Sequence, residues 1–147
     1  MARRLLLFCF VAIFEIMKTI HVAAAVINKE DKILCVQRNL NKLEYISYKW
    51  EFPGGKIEPN EKSEETIIRE IKEELNLTIK VNSFLLKVEH IYPDFRLIMD
   101  TFLCEIEIGE IQLNEHVDLK WLTLNELQDL DWAAADLPIV QKLIDNN

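Results

Sequence analysis

Hydrophobic and polar positions change period several times along the chain, and each change marks an element. From Thr19 to Ile27 the residues are apolar on both faces, the pattern of a strand buried in the middle of a sheet. The polar stretch Asn28–Asp31 signals a turn into a second strand, Ile33–Arg38, so a hairpin is expected. Residues 39–49 show no clear period and read as a loop leading to a short aromatic strand at Trp50–Phe52. After Ser63 the period becomes helical, with Ile67, Ile68, Ile71 and Leu75 recurring at spacings of three and four as one apolar stripe. Ser63 is the expected N-cap, and Glu64 and Glu65 place negative charge in the first turn, where the helix dipole favours it.

Two longer strands follow, at Thr78–Glu89 and Leu97–Ile108, with Tyr92-Pro93-Asp94 as the turn between them. Residues 109–116 read as a second loop, Leu119–Leu122 as a short strand, and Thr123–Leu130 as a helix capped by Thr123. A last helix over Leu137–Ile144 has Asp136 as its expected cap and Pro138 in its first turn. There is no internal repeat and no linker. The pattern predicts one α/β domain, a mixed sheet between helices.

The polar face of the Ser63–Leu75 helix carries the candidate chemistry. Glu70, Glu73 and Glu74 share its three-and-four spacing and project together from a face other than the apolar one. Three close carboxylates repel one another at neutral pH unless a cation sits among them. An oxygen-only ligand set suits Mg²⁺, with Mn²⁺ as substitute, better than zinc. Arg69 is spaced to pair with Glu65 or Glu73 one turn away, which would hold a ligand's rotamer and offset part of the repulsion. Upstream, Trp50-Glu51-Phe52-Pro53-Gly54 delivers the chain into a glycine pair. Gly54 and Gly55 permit positive φ and let a backbone carbonyl approach a metal with no Cβ in the way.

The run GKIEPNEKSEETIIREIKEELNL, Gly55 to Leu77, resembles the signature of the Nudix hydrolases: Gly, five residues, Glu, seven residues, Arg-Glu, an aliphatic, any residue, Glu-Glu, any residue, Gly and an aliphatic. Gly55, Glu61, Arg69, Glu70, Glu73 and Glu74 match it. The one departure is Asn76 in place of the last Gly, at a helix end where left-handed geometry is common and Asn is the next most tolerant residue. The resemblance covers nearly everything from Met17 onward and is nearest the MutT-like and CTP pyrophosphohydrolase-like branch. It implies an α/β/α sandwich and metal-assisted cleavage of a pyrophosphate bond.

Roles carry over from that resemblance residue by residue. The Gly55 carbonyl with Glu70, Glu73 and Glu74 would bind divalent metal. Glu61 and Arg69 would support loop and helix, and Lys56 would lie beside the phosphates. Glu115, six residues before Trp121, matches a glutamate that reaches back to the metals or activates water; its plainer reading is a solvated loop residue. Either Glu70 or Glu115 would be the base, with Arg69 supporting the catalytic set. No nucleophilic Ser, Cys or Thr motif is present, so a covalent intermediate is not expected.

Substrate choice must lie outside the signature. Arg38 matches a nucleotide-contacting arginine, or is a surface residue at a strand end. Phe52 would form part of a base pocket, or plain core. Asp136, in Trp132-Ala-Ala-Ala-Asp136-Leu-Pro, stands where MutT-like enzymes have a base-reading asparagine. An ionised aspartate only accepts, from a cytosine amine or from guanine N1 and N2 hydrogens. A (deoxy)nucleoside triphosphate is expected to give nucleoside monophosphate and pyrophosphate, with 8-oxo-dGTP and CTP or dCTP derivatives both open. Hydrolysis of ADP-ribose or a dinucleoside polyphosphate is the alternative of the same class. A non-catalytic nucleotide-binding module is the alternative of another class, opposed by the complete set of signature glutamates.

Composition narrows the partners. At 147 residues and a formal charge of −8, the chain is one domain ill suited to nucleic-acid polymers or anionic membranes. A small anionic nucleotide fits only with cations at the site. Cys9, Cys35 and Cys104 lack metal-ligand spacing and read as reduced thiols of a cytoplasmic protein. Residues 1–16 do not conform to the domain at 17–147. Arg3 and Arg4 precede an apolar run, Leu5–Phe14, that looks like the start of a signal peptide and is too short to span a bilayer as a helix. Cleavage at Ala23–Ala25 would cut the first strand. A start codon placed too early, with Met17 opening the working protein, is the plainest account; a packed or membrane-touching extension and export are the others. Oligomeric state is not legible.

Overall fold

Strand β1, Lys18–Lys29, is the backbone of the domain. The computed structural model describes residues 17–147, and the expectations for residues 1–16, Cys9 included, lie outside the described residues. Alternation along β1 divides the interior in two. Ala23, Ala25 and Ile27 face one core with Ile67, Ile71 and Leu75, while Ala24 and Val26 face a second with Phe52, Trp132 and Ile139. A strand that must bury both faces reads as a continuous apolar run, which is why its sequence shows no alternation.

The remaining elements are β2 (Lys32–Gln37), β3 (Trp50–Glu51), β4 (Gly54–Lys56), α1 (Ser63–Leu75), β5 (Thr78–Ile91), β6 (Phe95–Ile108), β7 (Asp118–Leu122) and α2 (Leu137–Asp145). β1 runs parallel to β6 from Lys18 opposite Phe95 to Ile27 opposite Cys104, and β6 pairs antiparallel with β5. On its other side β1 pairs antiparallel with β4, while β2 pairs antiparallel with both β3 and β7. This is a mixed sheet with α1 over one face and α2 over the other, the expected α/β class.

The β1–β2 hairpin turns on Glu30 (φ 52°) and Asp31 (φ 62°), two successive left-handed residues that suit the twist of a two-residue hairpin. Only Asn28–Ile33 and Lys29–Lys32 pair across it. The strands then part, which frees β1 to receive β4 and opens the cleft between the two halves of the sheet.

Several local expectations change. The N-cap of α1 is Lys62, not Ser63: Glu65 turns back so that its Oε1 accepts the Lys62 N–H at 3.0 Å, while Ser63 Oγ donates to Asp100 Oδ2 at 2.6 Å. Ile68 is 42% exposed, so the buried stripe is Ile67, Ile71 and Leu75. The predicted Thr123–Leu130 helix is a 3₁₀ segment, Leu124–Asp129, with Thr123 at its N-cap. Asn76 does adopt the left-handed conformation, φ 59° and ψ 30°, and its N–H closes onto the Lys72 carbonyl at 3.1 Å. Cys35 and Cys104 are buried thiols, each pushed up to about 12 chiefly by burial. Among the described residues no helix is long and apolar enough to cross a membrane.

Candidate active site

The glycine pair is held by crowding rather than by unusual torsion. Gly54 and Gly55 lie in β4 and do not use the positive φ open to them; the single positive-φ glycine is Gly109 (φ 116°). A Cβ on Gly54 would stand 2.0 Å from the Ala23 carbonyl oxygen, and one on Gly55 2.3 Å from Glu70 Cδ. β4 and α1 therefore meet so closely that the Glu70 side chain occupies the space a residue 55 side chain would need.

Arg69 is the hub on the outer side of this contact. Its Nε donates to Glu61 Oε2 at 2.7 Å, its Nη1 to Glu70 Oε1 at 2.7 Å, and its Nη2 to Glu61 Oε1 at 2.9 Å and to the Lys56 carbonyl at 3.2 Å. Glu73 Oε2 lies 3.5 Å from Nη1, whereas Glu65, the other expected partner, is occupied by the helix cap. Thr66 Oγ1 adds a 2.6 Å bond to Glu61. The Arg69 and Thr66 bonds hold the Glu61 carboxyl down at about 2. The result ties the loop after β4, the start of α1 and the Glu70 carboxylate into one rigid unit.

On the inner side, Glu74 is buried to 8% exposure and its Oε2 has no hydrogen-bond partner. Burial, and then the neighbouring Glu70 and Glu115 carboxylates, push Glu74 up to about 9. Glu73 stays on the rim, its side chain 60% exposed. Glu115 thus joins the helix carboxylates although it is distant in the chain. Among the described residues, no three acidic, His or Cys side chains are drawn into a closed metal cage. An orphaned carboxylate oxygen, a carbonyl on a glycine with no Cβ, and oxygen donors alone together fit a hard divalent cation.

These groups open onto a cleft of about 640 Å³. It is also lined by Arg38, Phe52 and Asp136, with Tyr92, Leu97 and Met99 supplying apolar wall. Lys56 lines it beside the carboxylates. Phe52 is both core and lining: it is buried and stacks on Trp132 with centroids 4.7 Å apart. Arg38 Nη1 is 3.3 Å from Glu51 Oε1, which holds the guanidinium at the cleft edge.

Asp136 corrects two expectations. It sits at the N-cap of α2 but makes no side-chain cap bond; its Oδ1 instead accepts the Phe52 N–H at 3.0 Å. Burial, then the Glu51 charge, hold its carboxyl well above the usual carboxylate range, with the Phe52 N–H and Arg38 opposing. Burial therefore weighs against the ionised acceptor assumed from sequence. A neutral carboxyl offers one donor and one acceptor, much as an asparagine amide does.

The NUDIX domain family matches residues 17–143. This chain is a Nudix hydrolase. It is 31% identical over 137 residues to the CTP pyrophosphohydrolase of Escherichia coli K12, covering 85% of this chain and 91% of that protein. It is 32% identical over 127 residues to the 8-oxo-dGTP diphosphatase of the same organism, covering 86% and 98%. Among solved structures, the MutT protein of methicillin-resistant Staphylococcus aureus 252 superposes with a TM-score of 0.70 at 36% identity, covering 90% of this chain and 100% of that one.

In this Nudix chain the signature accounts for the carboxylate end of the cleft but not for everything around it. Glu51, His116 and Asn114 were not singled out from sequence. Glu51 Oε2 contacts His116 Nε2 at 3.0 Å while Oε1 faces Arg38, and Asn114 Nδ2 donates to the Glu73 carbonyl at 2.8 Å. The available signal was that Glu51 immediately precedes Phe52 and that Asn114 and His116 flank Glu115.

Proposed function

We propose that the chain hydrolyses a (deoxy)nucleoside triphosphate to the nucleoside monophosphate and pyrophosphate with Mg²⁺, or Mn²⁺ in its place. One observation carries this reading: the carboxylates Glu70, Glu74 and Glu115 and the set Arg38, Phe52 and Asp136 line one cleft. A charged phosphate chain and a flat base need those two unlike sets of groups in one cavity. The similarity to relatives named for CTP and for 8-oxo-dGTP supports the same substrate class. Whether the base is a cytosine or an oxidised guanine is left to the assay.

Gly55 through its carbonyl, Glu70, Glu73, Glu74 and Glu115 would hold the cation. A bound divalent ion neutralises phosphate oxygens and acidifies water at phosphorus. The protein's own residues do the rest. Lys56 and Arg38 bring positive charge to an otherwise acidic cleft. Phe52 offers a ring face to the base and Asp136 a hydrogen-bonding edge. Arg69 holds Glu70 in place through the 2.7 Å bond, and Glu70 or Glu115 takes up the proton released by water.

The test is a panel of CTP, dCTP, dGTP, 8-oxo-dGTP, ADP-ribose and diadenosine tetraphosphate, assayed with Mg²⁺ and with products identified. Pyrophosphate and monophosphate are expected, and orthophosphate release would exclude the proposed bond. Preference for ADP-ribose would exclude the substrate class. Glu74→Gln with undiminished Mg²⁺-dependent turnover would overturn the metal assignment, and absence of all turnover would favour a binding module. A nucleotide-cleaning role follows only if a damaged nucleotide heads the panel.

A further inference from the structure

Glu115 lies in a loop with no regular structure, yet its neighbours on both sides are tied down. Before it, the loop caps the end of α1. Gln112 N–H donates to the Leu75 carbonyl at 3.0 Å, and Asn114 N–H to the Glu74 carbonyl at 3.1 Å. Asn114 Nδ2 adds the Glu73 carbonyl at 2.8 Å. These carbonyls belong to the last turn of the helix, which has no intrahelical donors of its own. After Glu115, the His116 ring reaches Glu51 at 3.0 Å and Val117 N–H donates to the Gln37 carbonyl at 3.0 Å.

His116 is not an economical packing residue. Its side chain is 6% exposed, and its Nδ1 is buried without a partner. An apolar side chain would fill the same space without an unpaired ring nitrogen. What the imidazole adds is the bond from Nε2–H to the Glu51 carboxylate. Glu51 in turn faces Arg38, just past the end of β2, and precedes Phe52, so the bond fastens the loop to the residues proposed to hold the nucleotide.

We propose that Asn114 and His116 are positioning residues for Glu115, clamping its carboxylate between the end of α1 and strand β3. The proposal rests on Glu115 belonging to the catalytic set. Asn114 sets its height over the helix, and His116 sets its reach across the cleft. Neither touches the reacting atoms.

The test uses the full chain with CTP and 8-oxo-dGTP, steady-state kinetics and melting temperature for each variant. Loss of such a supporting contact typically lowers activity about 10- to 100-fold, so His116→Ala and Asn114→Ala should each lower kcat by that order with KM little changed. His116→Gln, whose amide nitrogen can still donate to Glu51, should recover most of the rate. In a Glu115→Gln background, His116→Ala should lower kcat no further. A double variant whose loss is the product of the two single losses would overturn the proposal, as would a His116→Ala effect confined to KM. Glu115→Gln at the wild-type rate would instead remove Glu115 from the catalytic set, a separate failure read from that single variant.

Discussion

Replacing Gly55 by alanine puts a methyl group where the Glu70 side chain now stands. The added Cβ would lie 2.3 Å from Glu70 Cδ and 2.5 Å from Oε2, whereas ordinary contact begins at 3.4 Å. The Glu70 carboxylate must therefore retreat by about 1 Å, a displacement of a catalytic group that can lower turnover by about 100-fold. The fold should survive it. Gly55 has no positive φ, so alanine brings no backbone strain there, and the atoms displaced belong to the flexible end of a side chain. The stability loss is bounded by the bond from Arg69 to Glu70, about 1.5–3 kcal/mol for a charged hydrogen bond lost outright and less if the pair moves together. Gly54→Ala is the contrast. Its Cβ would meet the Ala23 carbonyl oxygen at 2.0 Å, backbone of the central strand, so the damage falls on folding and appears in the melting temperature. The assay is kcat with Mg²⁺ for Gly55→Ala beside Glu70→Gln, with thermal unfolding of all three variants. Wild-type kcat in Gly55→Ala, together with an inactive Glu70→Gln, would refute the claim that crowding by Gly55 sets the working position of Glu70.

Three further outcomes are expected. Glu61, held down at about 2 by Arg69 and Thr66, contributes stability that is complete above its ordinary value near 4.5 and fades as pH falls from there toward 2. The stability gap between wild type and Glu61→Gln should therefore narrow across that acid window in urea unfolding; a gap independent of pH would exclude the ion pair as its source. Asp136→Asn keeps an acceptor for the Phe52 N–H and should stay near wild type in stability and base ranking. Asp136→Ala strands that donor, costing about 1–3 kcal/mol, and should reorder the bases in the panel; identical ranking in all three proteins would take Asp136 out of base reading. A chain starting at Met17 should fold and turn over at the full rate, and a lowered melting temperature relative to the 147-residue chain would mean that residues 1–16 pack on the domain.

The primary sequence by itself determined the elements and the type of chemistry. Burial on both faces leaves an apolar run at β1, burial on one face leaves the helical stripe of α1, and the Nudix signature leaves glutamates at fixed spacing. These patterns are local, so they survive in one dimension. It was tertiary packing that decided which of those side chains meet. Ile68 has the right spacing for the buried stripe, but the packing of α1 leaves it at 42% exposure. Arg69 has two i±4 partners on paper, yet it turns to Glu61 in the preceding loop because that carboxylate is fixed by Thr66 and meets the guanidinium with two nitrogens. Asp136 has the sequence position of a helix cap, but the pairing of residues 131–133 with Trp50 presents it with the Phe52 N–H and removes it from water, changing its partner and raising its carboxyl above the usual range. Glu115 is one of several loop glutamates until hydrogen bonds to the end of α1 and to Glu51 bring it over the helix cluster. Spacing along the chain records what one element must do; which distant groups share a cavity depends on three-dimensional contacts that no local pattern encodes.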